Sequence, residues 1–221
     1  MNAEASKSGL FEAIAVMGKA LASPRRLELI DLLAQAPRTV DDLARASGLS
    51  TANTSQHLQA LHGAGIVSRV REGTSVRYSL AGDEALQLWL ALRDVAVASL
   101  AEAGRVARRY LGDDVESVDR EGLTRRMRAG EVVLIDVRPE EEFAAGHIEG
   151  ATSIPLDELD ERIAELPPGR DVVAYCRGPF CAFAHEAVRR LNAAGRSARR
   201  LEEGWPEWRL ARASGERPRA A

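Results

Sequence analysis

Cysteine occurs twice in this chain, at Cys176 and Cys181. Two thiols are too few for a disulfide scaffold, and their closeness points to chemistry rather than stapling. Cys176 follows the apolar run Asp171-Val172-Val173-Ala174-Tyr175 and precedes a helix-forming stretch that starts near Ala182. A thiol on a turn between strand and helix lies over the positive end of the helix. Loop N–H groups that converge there can bind an anion. Both effects favour thiolate, the nucleophilic form. Arg177 adds positive charge, and Gly178 and Pro179 suit a tight, irregular loop. Cys176 is therefore the expected nucleophile, assisted by Arg177. The loop Arg177, Gly178, Pro179, Phe180, Cys181 and Ala182 is the expected anion cradle.

A second group of residues suits DNA rather than catalysis. The sequence predicts helices over 10–21, 24–36, 40–47 and 50–64, then a hairpin of Ile66–Val70 and Val76–Leu80 around Gly73. Ser23-Pro24 starts the second helix, and Thr39 with Asp42 forms a capping-box pattern for the third. Thr54, Leu58 and Leu61 then face inward. Thr51, Asn53, Ser55, Gln56, His57 and Gln59 remain for base edges in a major groove. Arg69, Arg71 and Arg77 on the hairpin are expected to reach phosphate or the minor groove. A single long helix is expected over 83–110, with apolar residues almost all round it, so that it packs on a partner as well as on its own domain.

Beyond Gly112-Asp113-Asp114 the pattern becomes α/β. Val132–Asp136 and Asp171–Tyr175 read as buried parallel strands, with helices near 119–129, 139–145, 157–165 and 182–194. The expected organisation is thus a winged helix-turn-helix domain over 1–111, an α/β domain with a mostly parallel sheet over 115–213, and a loose tail over 214–221.

The bulk numbers fit two small domains in 221 residues, with 45% hydrophobic content and a formal net charge of −3. Residues 1–111 hold 13 basic and 11 acidic side chains, a balance of +2; residues 112–221 hold 17 and 22, a balance of −5. Any DNA affinity must come from local clustering and dimerisation. No apolar run approaches the roughly 20 residues of a membrane span, and Met1–Gly9 does not read as a secretory signal. A cytoplasmic protein with no membrane partner is expected.

The stretch Leu49-Ser50-Thr51-Ala52-Asn53-Thr54-Ser55-Gln56-His57-Leu58-Gln59-Ala60-Leu61-His62-Gly63-Ala64-Gly65-Ile66-Val67, with the wing ending Val76-Arg77-Tyr78-Ser79-Leu80, resembles the ArsR family of metal- and stress-responsive repressors. Over about 10–110 the resemblance implies a homodimer held by its first and last helices. It also implies a recognition helix at 50–62 and a palindromic double-stranded DNA operator. The family's usual metal positions are vacant: 40–47 holds neither Cys nor His, and the last helix has no His. His57 and His62 lack further ligands nearby. No metal and no cofactor is expected.

Residues 115–212 resemble the rhodanese domain through three spaced stretches. These are Ile135-Asp136-Val137-Arg138-Pro139-Glu140-Glu141-Glu142-Phe143 followed by Gly146-His147-Ile148-Glu149-Gly150-Ala151, then the Cys176 loop, then Leu201-Glu202-Glu203-Gly204-Trp205-Pro206-Glu207-Trp208. The resemblance implies that Cys176 takes sulfane sulfur from a small donor as a persulfide and passes it to a thiol or cyanide. Loop amides would hold the outer sulfur as an oxyanion hole holds charge. Asp136 and Arg138 would support the loop from beneath, His147 would be a structural hydrogen bonder, and Trp205 and Trp208 core or pocket wall. Related phosphatase-type loops are one residue longer and end in Arg; here Ala182 stands at that place, which favours sulfur over phosphate. Cys181 is either a resolving thiol that attacks a Cys176 persulfide or a small buried thiol without a role. Three functions stay open. The chain is a regulator that couples sulfur status to operator binding, or a sulfurtransferase whose DNA-binding half only autoregulates it, or a repressor with a non-catalytic rhodanese module.

Overall fold

A computed structural model describes residues 6–213; the expected loose tail 214–221 lies outside the described residues. Among the described residues the chain divides into two compact units, the first ending at Trp89 and the second starting at Leu90. The division falls inside a helix, earlier in the chain than Gly112–Asp114.

In the first unit, Ser6 caps α1 (Lys7–Leu21) by accepting from the Gly9 N–H. Pro24 opens α2 (Pro24–Gln35). A short β1 (Arg38–Thr39) precedes α3 (Val40–Ser47), where Thr39 and Asp42 form both halves of a capping box. This reciprocal pair satisfies two otherwise unpaired helix donors. Ser50 caps α4 (Thr51–Gly63) through the Asn53 N–H. Strands β2 (Val67–Glu72) and β3 (Ser75–Leu80) form the hairpin, and β1 adds to β3, giving an antiparallel sheet ordered β1-β3-β2. Leu29, Ile30, Leu43, Leu58, Leu61, Ile66, Val67 and Tyr78 close the core. This is a helix-turn-helix followed by a wing.

The long helix expected over 83–110 is two helices, α5 (Asp83–Ser99) and α6 (Ala101–Leu111). Leu100 between them takes an extended conformation. Neither Pro nor Gly marks that position, so local sequence gives no warning. Tertiary contacts hold the far end of α6. Arg189 donates to the Leu111 carbonyl at 2.7 Å and grips Asp114, and both Gly104 and Leu111 are buried.

The second unit then runs β4 (Ser117–Val118), α7 (Arg120–Arg128), β5 (Val132–Asp136), α8 (Glu140–Ala145), β6 (Thr152–Ser153), and α9 (Leu159–Arg162) with a 3-10 turn at Ile163–Glu165. It continues with β7 (Asp171–Tyr175), α10 (Ala182–Ala193), β8 (Ala198–Leu201) and α11 (Trp205–Ala213). The five strands pair in the order β4-β8-β7-β5-β6, all in parallel. β7 is central and Val172, Val173, Ala174 and Tyr175 are fully buried. That double-sided burial is why the strand reads as a continuous apolar run. Among the described residues, no helix is long and apolar enough to cross a membrane.

Candidate functional site

In an open parallel sheet, the crevice beyond the carboxyl ends of the strands is where ligands bind. β7 delivers Cys176 to that edge, and β5 delivers Asp136 beside it, since Asp136 pairs in register with Tyr175. Cys176 is 1% exposed and packs with Ile135, Val137, Ile154 and Ala184. Its sulfur is joined to that of Cys181 in a disulfide, with the Cα atoms 6.3 Å apart. An accessible thiolate at the turn was expected. The structure holds a bridged, buried sulfur instead, because four intervening residues fold tightly enough to bring both Cα atoms inside disulfide range.

The loop is held from three sides. From beneath, the Arg138 guanidinium and the Asp136 carboxylate form a completely buried ion pair, with Nη2–Oδ2 at 2.6 Å. Arg138 also donates to the Gly146 carbonyl at 2.8 Å and lies over the Tyr175 ring. Burial would lower the Arg138 pKa, but the Asp136 hydrogen bonds and charge outweigh it and keep the group cationic. Burial, with Asp136 adding to it, pushes the Tyr175 hydroxyl far up, so that it stays neutral and accepts from the Ile148 N–H at 3.0 Å. Asp136 and Arg138 thus lock the ends of β5 and β7 together through Tyr175 and Gly146.

From the side, Arg177 engages Glu142 and Phe183. Its guanidinium is bidentate on the fully buried carboxylate of Glu142 at 2.6–3.0 Å and covers Phe183. The positive charge expected to assist Cys176 is thus compensated by Glu142. Glu142 was not singled out in the sequence, although three consecutive glutamates after Pro139 gave a signal that one was placed for a purpose.

From above, the segment between β8 and α11 closes on the loop. The Trp205 N–H donates to the Cys176 carbonyl at 3.3 Å. A Cβ on Gly204 would lie 2.6 Å from Gly178 Cα, and closer still to Gly178 N and the Arg177 carbonyl carbon. Gly204 is therefore the residue that lets two backbones touch. Glu207 accepts from the Gly204 N–H at 2.9 Å and pairs with Arg93 at 2.7 Å. Arg93 in turn covers the Phe180 ring at 5.4 Å. Arg93 and Glu207 are both largely buried. No spacing rule in the sequence could have placed Arg93 of α5 on this loop.

Cys181, half-buried, is the N-cap of α10, and the Cys181 N–H donates to the Gly178 carbonyl. His185 one turn on contacts the Cys181 carbonyl at 3.3 Å through Nδ1. His147 bonds the Phe143 carbonyl and stacks on the Phe143 ring at 3.8 Å. Trp205 and Trp208 pack at the edge of the Leu123, Leu134 and Tyr175 core.

The residues expected to meet DNA lie in the first unit. On α4, Thr51, Asn53, Gln56 and Gln59 are exposed, Ser55 and His57 are half-buried, and Thr54, Leu58 and Leu61 are buried. Arg69 and Arg71 on the wing are exposed, Arg71 bonding the Gly73 carbonyl. Arg77 pairs with Glu72 at 2.9 Å and donates to the Pro37 carbonyl at 3.3 Å. It braces the base of the wing.

Comparison with known proteins gives two family matches. Residues 23–69 match the bacterial regulatory protein, arsR family, and residues 119–211 match the rhodanese-like domain. The chain is 47% identical over 205 residues to the HTH-type transcriptional regulator Rv0324 of Mycobacterium tuberculosis, covering 93% of this chain and 91% of that protein. It is 41% identical over 64 residues to a sulfurtransferase of Allochromatium vinosum, covering 28% of this chain and 60% of that one. A solved homodimeric winged helix-turn-helix DNA-binding domain, fragment 1–100 of Mb0332 from Mycobacterium bovis, is 39% identical with a TM-score of 0.42, covering 45% of this chain and 93% of that one.

Proposed function

We propose, from the premise that the chain belongs to the ArsR family of bacterial regulatory proteins and carries a rhodanese-like domain, that sulfane sulfur taken up at Cys176 governs its hold on an operator. Residues 1–111 bind DNA and dimerise, residues 115–213 handle sulfur, and the protein works in the cytoplasm on a palindromic duplex. The observation that carries the reading is Cys176 itself. It sits at the end of the central strand, in a loop against which the Gly204 backbone packs, with the buried Asp136–Arg138 pair at the end of the neighbouring strand. The Cys176 side chain is 1% exposed, so sulfur uptake there would act on the packing of the loop.

Two further observations support the coupling. Helix α5 supplies residues to both units: Trp89 donates to Asp31 in the first, and Arg93 meets Glu207 and Phe180 in the second. The two units are thus joined covalently through α5. Exposed Leu10, Phe11, Ile14 and Met17 on α1 supply an apolar face of the kind that pairs two copies. Loading would act by shifting the population of DNA-competent dimers.

The test selects DNA ligands from a random duplex pool with the reduced full chain, then titrates the winner with and without polysulfide. Wild type is expected to change its affinity on treatment and Cys176→Ser to ignore it. A wild type that binds equally well in both conditions refutes the coupling.

A further inference from the structure

We infer that Cys181 is the built-in acceptor of the sulfur taken by Cys176, so that the loop reduces sulfane sulfur to hydrogen sulfide and ends in the bridge seen here. This deepens the reading above and rests on Cys176 accepting sulfur. Three observations carry it. The two sulfurs are bonded within this fold, with their Cα atoms 6.3 Å apart and inside disulfide range. Cys181 is the N-cap of α10, a helix of 12 residues, where the helix dipole stabilises a thiolate. Arg177, the cation next in sequence to Cys176, is bound to the buried carboxylate of Glu142, which offsets its charge.

The steps balance as follows. The Cys176 thiolate attacks the outer sulfur of thiosulfate; a sulfur–sulfur bond forms on Cys176, the donor bond breaks, and sulfite leaves with the electron pair. The Cys181 thiolate, its proton given up to solvent, then attacks Cys176 Sγ. The Cys176–Cys181 bond forms, the bond to the outer sulfur breaks, and hydrosulfide leaves after taking up a proton. Two thiols are oxidised to a disulfide, and one sulfane sulfur is reduced to sulfide. A small external thiol resets the loop by attacking the disulfide. Cys181 is half-buried whereas Cys176 is 1% exposed, so Cys181 receives the attack and Cys176 leaves as thiolate. The nucleophile for the next round is thereby the residue released.

The experiment uses the full chain, reduced and desalted without oxygen, and mixes it with an equimolar amount of thiosulfate in the absence of any free thiol; a parallel arm uses glutathione persulfide. Sulfite or glutathione reports sulfur uptake, sulfide reports discharge, and mass spectrometry of the 171–189 region reports persulfide or bridge. Wild type is expected to release sulfide in step with uptake and to finish bridged. Cys181→Ser and Cys181→Ala are expected to take up sulfur, keep a persulfide on Cys176 and release sulfide only to the level of Cys176→Ser. Uptake by wild type with a lasting persulfide and no sulfide overturns the inference and leaves Cys176 as an acceptor. Equal sulfide release from wild type and Cys181→Ser overturns it as well. No uptake from either donor by any of the proteins overturns the acceptor role of Cys176 together with the inference.

Discussion

Replacing Gly204 by Ala tests the lid over the cysteine loop. The added Cβ would sit 2.6 Å from Gly178 Cα and nearer to the adjoining peptide atoms. Ordinary contact begins near 3.4 Å and the nearest atom, Gly178 N, would lie at 2.3 Å, so the two backbones must part by 3.4 − 2.3 = 1.1 Å. None of the opposing atoms belongs to a flexible side chain. The strain must therefore be absorbed by the loop, by the Trp205 N–H bond to the Cys176 carbonyl, or by the Gly204 N–H bond to Glu207. Overpacking of this kind costs about 1–3 kcal/mol. A shift of about 1 Å in a reacting group is worth on the order of a hundredfold in rate. The assay pairs thermal unfolding with the rate at which Cys176 of the reduced protein takes up sulfur from thiosulfate. Gly204→Ala is expected to unfold at lower temperature and to load more slowly. Gly63→Ala, whose Cβ would meet nothing within 4 Å, is expected to load at the wild-type rate. Native stability and native loading in Gly204→Ala would refute the idea that backbone contact sets the loop.

Three other outcomes are expected. Gln56→Ala should weaken binding to a selected duplex by about 1–3 kcal/mol if Gln56 reads an adenine, with sulfur uptake unchanged; a gel-shift titration measures it, and unchanged affinity removes Gln56 from the contacts. Arg93→Gln breaks a pair with Glu207 and should destabilise the second unit by about 1–3 kcal/mol. Cys176 should still load, as read by mass, while the polysulfide response of DNA binding is lost; a full response would show that α5 carries no signal. Burial, reinforced by the nearby charge of Arg200, holds the His185 imidazole below its ordinary 6.5. The unfolded chain then binds more protons in that window, so stability is complete above 6.5 and is lost as pH falls from there toward the folded value. Unfolding midpoints measured across that range should fall with acid in wild type and fall less in His185→Gln; parallel curves would refute the assignment.

The local signals were legible because each depends on neighbours in sequence. The Thr39–Asp42 capping box, Pro24 at a helix start, the inward trio Thr54, Leu58 and Leu61, and the doubly buried strand ending at Tyr175 all follow from propensity and periodicity. So do the two-part organisation and the position of Cys176 at a strand-to-helix turn, since a strand, a turn and a helix are adjacent in the chain. The short strands β4, β6 and β8 escaped notice because two to four residues carry too little pattern to register. The break at Leu100, the partner of Arg177, the turn of Arg77 toward Glu72, and Arg93 on the cysteine loop came only with the tertiary structure. Each is a choice among chemically equivalent partners, many residues distant or on competing faces, and only packing decides which is within reach. The same holds for the sulfur. Sequence placed a thiol where a helix end favours its anion, but whether that thiol stands open or is joined to its neighbour depends on how tightly four residues fold.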